Sequence, residues 1–128
     1  MITTIRIGKT EISRIGYGTL YIPVERGLGP ARSNAVDLLQ EARNFGIQFF
    51  DTADSYGNGS AEEAIREALH PYDNILIASK GGFRHERLGS WVSDARPERL
   101  KNCLENSLRR LSLECIDLYQ LHCPDNRV

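Results

Sequence analysis

The sequence predicts an α/β fold whose parallel sheet forms part of a (β/α)8 barrel. Short apolar segments alternate with amphipathic segments of about 10 to 15 residues, a pattern typical of repeated strand-helix-strand units. The alternative is a doubly wound dinucleotide fold, which requires Gly-x-Gly-x-x-Gly where a helix opens. In this chain Gly16-Tyr17-Gly18 is followed by Thr19-Leu20-Tyr21 and then by a long loop. This arrangement favours the barrel.

A β-hairpin is predicted at the start of the chain, over residues 3–13. Ile5, Ile7 and Ile12 flank Gly8-Lys9, and a glycine at the first loop position suits a tight type II′ turn. Residues 14–20 follow as a short strand that contains two glycines. We expect this strand to be the first of the parallel sheet.

Three segments have the periodicity of amphipathic helices. In the first, Ser33 is a candidate N-cap and Gly46 a candidate terminator. In the second, Ser60-Ala61-Glu62-Glu63 is typical of a capping box and Pro71 marks the end. In the third, Pro97 suits the first turn. The apolar positions at helical spacing are Ala35, Leu38, Leu39, Ala42, Ala64, Ile65, Ala68, Leu69, Leu100, Cys103, Leu104, Leu108 and Leu111.

Polar residues end three successive apolar strands. Residues 47–50 lead to Asp51, residues 75–78 lead through Ser79 to Lys80, and residues 116–121 lead to His122. The carboxyl ends of parallel strands gather at one end of the sheet, and in barrels that end holds the active site. The sequence therefore predicts that Asp51, Lys80 and His122 lie close together.

Composition excludes several classes of protein and favours a cytoplasmic one. The 128 residues suffice for one domain but fall short of the ~250 usual for a complete barrel. With 16 Lys and Arg against 17 Asp and Glu, no basic surface indicates nucleic acid or an anionic membrane. No segment is apolar enough for a membrane span or a secretory leader. Three cysteines without Cys-x-x-Cys spacing favour neither disulfides nor a metal site, so a reducing cytoplasm is expected.

Tyr56, in the segment after Asp51, adds a candidate proton donor. A phenol has an unperturbed pKa of ~10 and releases its proton near neutrality only when a nearby cation favours the phenolate. Lys80 is a candidate for that cation, Asp51 for its partner, and His122 for a hydrogen bond to the oxygen that receives the proton. Taken singly, each residue also has a structural explanation. Asp51 could open a turn and Lys80 could be a solvated surface residue. His122 could make a structural hydrogen bond, and Tyr56 could cap a loop with its aromatic ring.

The segments around these residues resemble the aldo-keto reductases. Residues 49–57, Phe-Phe-Asp-Thr-Ala-Asp-Ser-Tyr-Gly, followed by Ala-Glu-Glu-Ala-Ile at 61–65, resemble the family's signature stretch. Residues 77–81 resemble its lysine strand, and residues 107–122 resemble its third helix and histidine strand. The resemblance covers essentially the whole chain, the opening hairpin included.

This resemblance implies a (β/α)8 barrel that binds NADPH across its mouth and reduces an aldehyde or ketone by hydride transfer from the nicotinamide. The family's catalytic tetrad falls on Asp51, Tyr56, Lys80 and His122. By resemblance Tyr56 is the general acid and Lys80 makes it more acidic. Asp51 pairs with Lys80, and His122 orients the substrate carbonyl.

The resemblance also implies which residues contact the cofactor. Gly18, Thr19 and Leu20 match the first strand-loop of the family, which touches NADPH near its nicotinamide, and Asp51 matches a residue close to the nicotinamide ribose. No metal is expected. Trp91, in the predicted loop 81–96, either lines the substrate pocket or packs on the barrel rim.

By the same resemblance, residues 1–128 are a single domain that forms the N-terminal half of the barrel, with a hairpin and about four βα units. The family's last four strands hold the nicotinamide amide, its ring and the 2′-phosphate, so we expect the isolated chain to be inactive. Two alternatives stay open. One is a non-catalytic regulatory or binding subunit, and the other is a half barrel that pairs with its own copy to cover its strand edges.

Overall fold

A computed structural model describes residues 3–22, 32–86 and 90–128. It contains, in chain order, β1 (Thr4–Ile7), β2 (Thr10–Ser13), β3 (Tyr17–Gly18), α1 (Arg32–Asn44), β4 (Phe49–Asp51), α2 (Ser60–Leu69), β5 (Leu76–Gly81), β6 (Phe83–His85), β7 (Trp91–Ser93), α3 (Pro97–Leu111) and β8 (Leu118–Leu121). A short 3-10 turn, Tyr56–Gly59, precedes α2. Within the described ranges, no helix has the length and apolar character needed to cross a membrane.

The opening hairpin is confirmed. Strands β1 and β2 pair antiparallel, with Ile5 opposite Ile12 and Ile7 opposite Thr10. Gly8 has φ +59°, a left-handed value that the first central position of a type II′ turn requires. The hairpin lies outside the parallel sheet, and Ser13 joins it to the body of the protein through a hydrogen bond from its amide to the side chain of Gln48.

Four parallel strands form the main sheet in the order β3-β4-β5-β8. Each pairs with the next parallel strand along the chain, so Gly18 lies opposite Asp51, and Asp51 opposite Ala78. Ala78 in turn lies opposite Leu118, and Lys80 opposite Gln120. This sequential order is that of a barrel wall, and it excludes the doubly wound arrangement.

The main core lies between the sheet and its three helices. Phe50 and Ile77 face the helices and are fully buried, together with Leu39 of α1, Ile65 of α2 and Leu111 of α3. Burial of each such side chain is worth roughly 1.5–3 kcal/mol. Because side chains alternate along a strand, the residues next to Phe50 and Ile77 face the opposite side of the sheet. That side carries Asp51 and Lys80.

Two predicted helix starts are wrong. Helix α1 begins at Arg32, so Ser33 lies inside its first turn instead of capping it. Helix α2 has Gly59 in its N-cap position with φ +95°, and Ser60 is its first helical residue. The cause is the preceding 3-10 turn, which continues directly into α2, so that the Ser60 amide donates to the Tyr56 and Gly57 carbonyls. The predicted capping box is therefore absent, because the N-cap residue is a glycine and no side chain caps the start of α2.

The segment between β5 and α3 was predicted as a loop, but it contains a second small hairpin. Strands β6 and β7 pair antiparallel, with Phe83 opposite Ser93 and His85 opposite Trp91. Each strand has only 3 residues and neither shows an alternating apolar pattern, while residues 86–90 between them are too many for a two-residue hairpin turn. Pro97 does open α3 as predicted, in the first turn of the helix.

Candidate active site

The predicted strand-end residues meet at one end of the parallel sheet. Asp51 ends β4, Lys80 is the next-to-last residue of β5, and His122 directly follows β8. Backbone hydrogen bonds hold the segments beyond the strands in place: the Asp54 amide donates to the Lys80 carbonyl at 3.0 Å, and the His122 amide to the Gly81 carbonyl at 2.9 Å. The positions of these side chains are therefore set by the sheet itself.

The ammonium group of Lys80 is the centre of the site. Its Nζ donates to Asp51 Oδ2 at 2.7 Å, to the Thr52 carbonyl at 2.8 Å and to Tyr56 Oη at 3.2 Å. An ammonium has three protons, so each one has an acceptor. The Lys80 side chain is 15% exposed and that of Asp51 33%, so the ion pair is only partly solvated. This arrangement fixes a positive charge beside a phenol oxygen.

Tyr56 reaches Lys80 because the chain reverses sharply after it. Gly57, Asn58 and Gly59 all have left-handed torsions, with φ of +56°, +53° and +95°. Glycine adopts such values without strain, and asparagine tolerates them better than most residues. Tyr56 is 9% exposed and its ring packs against the lysine, with Lys80 Nζ 4.9 Å from the ring centroid. The phenol oxygen is thereby turned towards the sheet end.

His122 stands on the other side of Tyr56. The two rings meet edge to face with centroids 5.6 Å apart, and the Phe83 ring lies 5.0 Å from the imidazole. Burial lowers the pKa of His122 below its ordinary value, and the positive charge of Lys80 lowers it further. The imidazole is therefore neutral at physiological pH and has one N–H to donate.

The three predicted cofactor contacts on the first strand-loop differ in exposure. Gly18 and Leu20 are exposed beside Asp51, and a side chain added at Gly18 would meet open space. Thr19 is fully buried, and both its amide and its hydroxyl donate to the Asp51 carbonyl, at 2.9 and 3.1 Å. Thr19 thus anchors Asp51, while Gly18, opposite Asp51 in the sheet, and Leu20 stay exposed. An open backbone surface beside a carboxylate fits a flat ring and the hydroxyls of a ribose.

Trp91 lies at the edge of the site. Its ring stacks on Phe83 with centroids 5.0 Å apart and planes 10° from parallel, and the residue is 44% exposed. Since Phe83 also touches His122, the two aromatic rings form a wall beside the imidazole. Trp91 was expected either to line the substrate pocket or to pack on the barrel rim. The two positions are compatible, because the Trp91 ring packs on Phe83 while the residue remains accessible to solvent.

Two residues of the site were not predicted from the sequence. Ser55 places its Oγ 3.3 Å from His122 Nδ1, and Phe83 packs on the same ring. For Ser55, the only indication in the sequence was its position next to Tyr56, and that position does not tell which way the side chain points. Phe83 had no signal, because the hairpin that carries it was not predicted.

Comparison with known proteins identifies relatives over nearly the whole chain. The model of the aldo/keto reductase family matches residues 14–128. Pyridoxine 4-dehydrogenase of Escherichia coli is 34% identical, over 92% of this chain and 42% of its own length. The NADH-specific methylglyoxal reductase of the same organism is also 34% identical, over 92% of this chain and 41% of its own length. The chain thus spans about two fifths of the length of these relatives.

Solved structures show the same architecture. Glycerol dehydrogenase from Gluconobacter oxydans superposes with a TM-score of 0.88 at 37% identity, covering 98% of this chain and 41% of that protein. An aldo-keto reductase from Klebsiella pneumoniae in complex with NADPH gives a TM-score of 0.76 at 27% identity, with 98% and 41% coverage. These neighbours are (β/α)8 barrels, and the four-stranded sheet described above corresponds to part of such a barrel.

Proposed function

This chain belongs to the aldo/keto reductase family, and from that membership we propose that the full-length protein carrying it reduces an aldehyde or ketone to an alcohol with NADPH. Tyr56 is the proton donor of this reaction. One observation carries the proposal: a single ammonium, that of Lys80, hydrogen-bonds both to the carboxylate of Asp51 and to the phenol of Tyr56. A cation held within hydrogen-bond distance of a phenol stabilises the phenolate, which is what a phenolic proton donor requires.

The proton is supplied by Tyr56. A reduced nicotinamide, when bound, would supply the hydride to the carbonyl carbon. As the carbonyl oxygen gains negative charge, Tyr56 Oη transfers its proton to that oxygen, and the phenolate left behind stays beside the Lys80 ammonium at 3.2 Å. Attraction to that charge lowers the free energy of the phenolate relative to the phenol. Asp51 keeps the ammonium in place and prevents it from turning towards solvent.

His122 directs the oxygen towards Tyr56. The neutral imidazole donates one hydrogen bond, and its ring lies within 5.6 Å of the Tyr56 ring, so a carbonyl oxygen between them receives donors from both. A protonated imidazole would compete with Tyr56 as the acid. The lowered pKa of His122 prevents this and leaves the phenol as the group that gives up its proton.

This chain would hold the cofactor at its nicotinamide end through Gly18, Leu20 and Asp51. The open surface at Gly18 accepts a ring without steric conflict, and the Asp51 carboxylate has room for a ribose hydroxyl besides the Lys80 ammonium. The Klebsiella relative with bound NADPH supports the proposed cofactor, while the NADH-specific relative from Escherichia coli makes NADH the alternative.

The proposal is tested by following oxidation of the reduced nicotinamide by the full-length protein. The assay uses NADPH and NADH in parallel, each with a panel of small aliphatic and aromatic aldehydes and ketones. Oxidation that requires both protein and carbonyl, faster with NADPH, is the expected result. Equal or faster turnover with NADH would reject the cofactor assignment, and no carbonyl-dependent oxidation across the panel would reject the reductase itself.

A further inference from the structure

Ser55 makes the side-chain contact that fixes the orientation of the His122 ring. Its Oγ lies 3.3 Å from His122 Nδ1, and no other side-chain hydrogen bond to His122 occurs among the described residues. Ser55 is only 8% exposed, so water cannot readily replace its hydroxyl. Phe83 and Tyr56 confine the imidazole by packing against its ring, but neither ring contact selects one nitrogen over the other.

The position of Ser55 is set by the same backbone that presents Tyr56. The carbonyl of Ser55 accepts from the Asn58 amide at 3.3 Å, and the Asp54 amide just before it donates to Lys80. Ser55 and Tyr56 are neighbours in a turn that is hydrogen-bonded on both sides. The same hydrogen-bonded turn therefore positions both the proton donor, Tyr56, and the residue that contacts His122, Ser55.

A neutral histidine has one ring proton, and its location decides what the ring can do. With the proton on Nδ1, Nε2 offers only a lone pair, which repels a carbonyl oxygen. With the proton on Nε2, the ring donates to that oxygen. The groups that act on the His122 charge are Lys80, which favours the neutral ring, and Asp54 and Asp51, which oppose it more weakly than burial and Lys80 together.

We propose that Ser55 is a positioning residue that donates its hydroxyl proton to His122 Nδ1 and thereby places the single imidazole proton on Nε2. The effect of Ser55 on catalysis rests on the proposed carbonyl reduction. The tautomer of His122 does not, because it is a property of the protein without substrate. The serine hydroxyl is a rotor that can donate to Nδ1 or accept from it, and we assign it as the donor because the single ring proton on Nε2 is then available to the carbonyl oxygen. The group that governs the histidine is thus the residue next to the proton donor.

The direct test is the tautomer of His122 in the full-length protein, read from NMR of isotope-labelled imidazole nitrogens without substrate. We expect a single population with the proton on Nε2. In Ser55→Ala the preference should be lost and both tautomers appear, while Ser55→Thr, which keeps the hydroxyl, should restore it. A wild-type ring protonated on Nδ1, or an unchanged tautomer in Ser55→Ala, would overturn the proposal.

A matched control separates this effect from general loss of stability. Ser79 is likewise a buried serine with one side-chain partner, donating to Glu62 Oε1 at 2.7 Å on the helix side of the sheet. Ser79→Ala should lower stability yet leave the His122 tautomer unchanged. A change of tautomer in Ser79→Ala equal to that in Ser55→Ala would contradict the specific role of Ser55.

Activity gives the second readout. Ser55→Ala should lower kcat about tenfold with little change in the KM of the nicotinamide, on the scale of losses seen when the partner that orients a histidine is removed. Full kcat in Ser55→Ala would overturn the positioning role even if the tautomer shifts. If no variant, wild type included, reduces a carbonyl, the proposed function fails, and the NMR result still decides whether Ser55 sets the tautomer.

Discussion

The Nζ of Lys80 lies 3.2 Å from the Oη of Tyr56, although the two residues are 24 positions apart and belong to different strand-loop units. The sheet brings them together: Lys80 stands near the end of β5, and the turn after β4 carries Tyr56 over it. The same Nζ pairs with the Asp51 carboxylate, at 2.7 Å from Oδ2. From this relationship follow expectations for the chemistry and for the stability of the protein.

Replacing Lys80 with methionine should reduce carbonyl reduction at neutral pH by about a hundredfold or more, because the phenolate of Tyr56 loses its neighbouring cation. Raising the pH should not restore the lost activity, because carbonyl reduction consumes the protonated phenol. Steady-state kinetics across pH on the full-length protein measure both effects. Lys101→Met, at an exposed position of α3, is the control. A Lys80→Met enzyme with unchanged rate and pH profile would show that the contact is structural.

The His122 imidazole should titrate below its ordinary value of 6.5. Burial is the main cause and the charge of Lys80 the second, so Lys80→Met should move the midpoint part of the way back up. An NMR titration of the histidine carbon-bound protons measures this directly. A His122 midpoint at or above 6.5 in the wild type would mean that the ring is not kept neutral for substrate binding.

Much of this site was predictable from local pattern. Short apolar strands that end in Asp51, Lys80 and His122, separated by amphipathic helices, predict a parallel sheet with those residues at one end, and the structure confirms it. The contact between Tyr56 and Lys80 also agrees with the prediction that Lys80 is the cation beside the phenol, because five residues after a strand end suffice for a turn back over it.

The rest depended on interactions that a single segment does not encode. Gly59 became the N-cap of α2 because the preceding 3-10 turn continues directly into the helix, and its backbone hydrogen bonds outweighed the capping-box pattern at Ser60. The contact of the Ser55 side chain with His122 joins residues 67 positions apart, which no local pattern indicates. The hairpin that carries Phe83 and Trp91 is stabilised partly by their stacking, a contact visible only after folding.

Gly59→Ala should destabilise the protein more than Gly46→Ala. Both glycines have φ above +90°, so an L-residue costs roughly 1–2 kcal/mol at either place. A Cβ at Gly46 meets open space, whereas at Gly59 it collides with the guanidinium of Arg110, which is paired with the buried Glu62 at 3.0 Å. We expect about 1–3 kcal/mol of additional loss for Gly59→Ala. Equal unfolding free energies from denaturant titrations of the two variants would contradict this packing.

The 128-residue chain by itself should bind NADPH weakly and show no reductase activity. In the described sheet, β3 and β8 have one unpaired edge each, and Leu121 is 52% exposed next to the β8 edge. Such edges favour association with a second copy or with further strands of a barrel. Cofactor fluorescence and solution mass of the purified chain measure both properties. Saturable micromolar binding by a monomer would show that the residues near Gly18 and Asp51 suffice for the cofactor.

The most direct test of the central claim, that Tyr56 gives the proton, is the kinetics of Tyr56→Phe in the full-length protein. This change removes one oxygen and leaves Lys80 bound to Asp51 and to the Thr52 carbonyl, so the fold and the cofactor surface persist. Tyr119→Phe is the control, since the buried Tyr119 hydroxyl has no hydrogen-bond partner within the described residues. We predict that Tyr56→Phe loses carbonyl reduction by about a hundredfold or more while NADPH affinity changes little. Undiminished turnover in Tyr56→Phe would contradict the account.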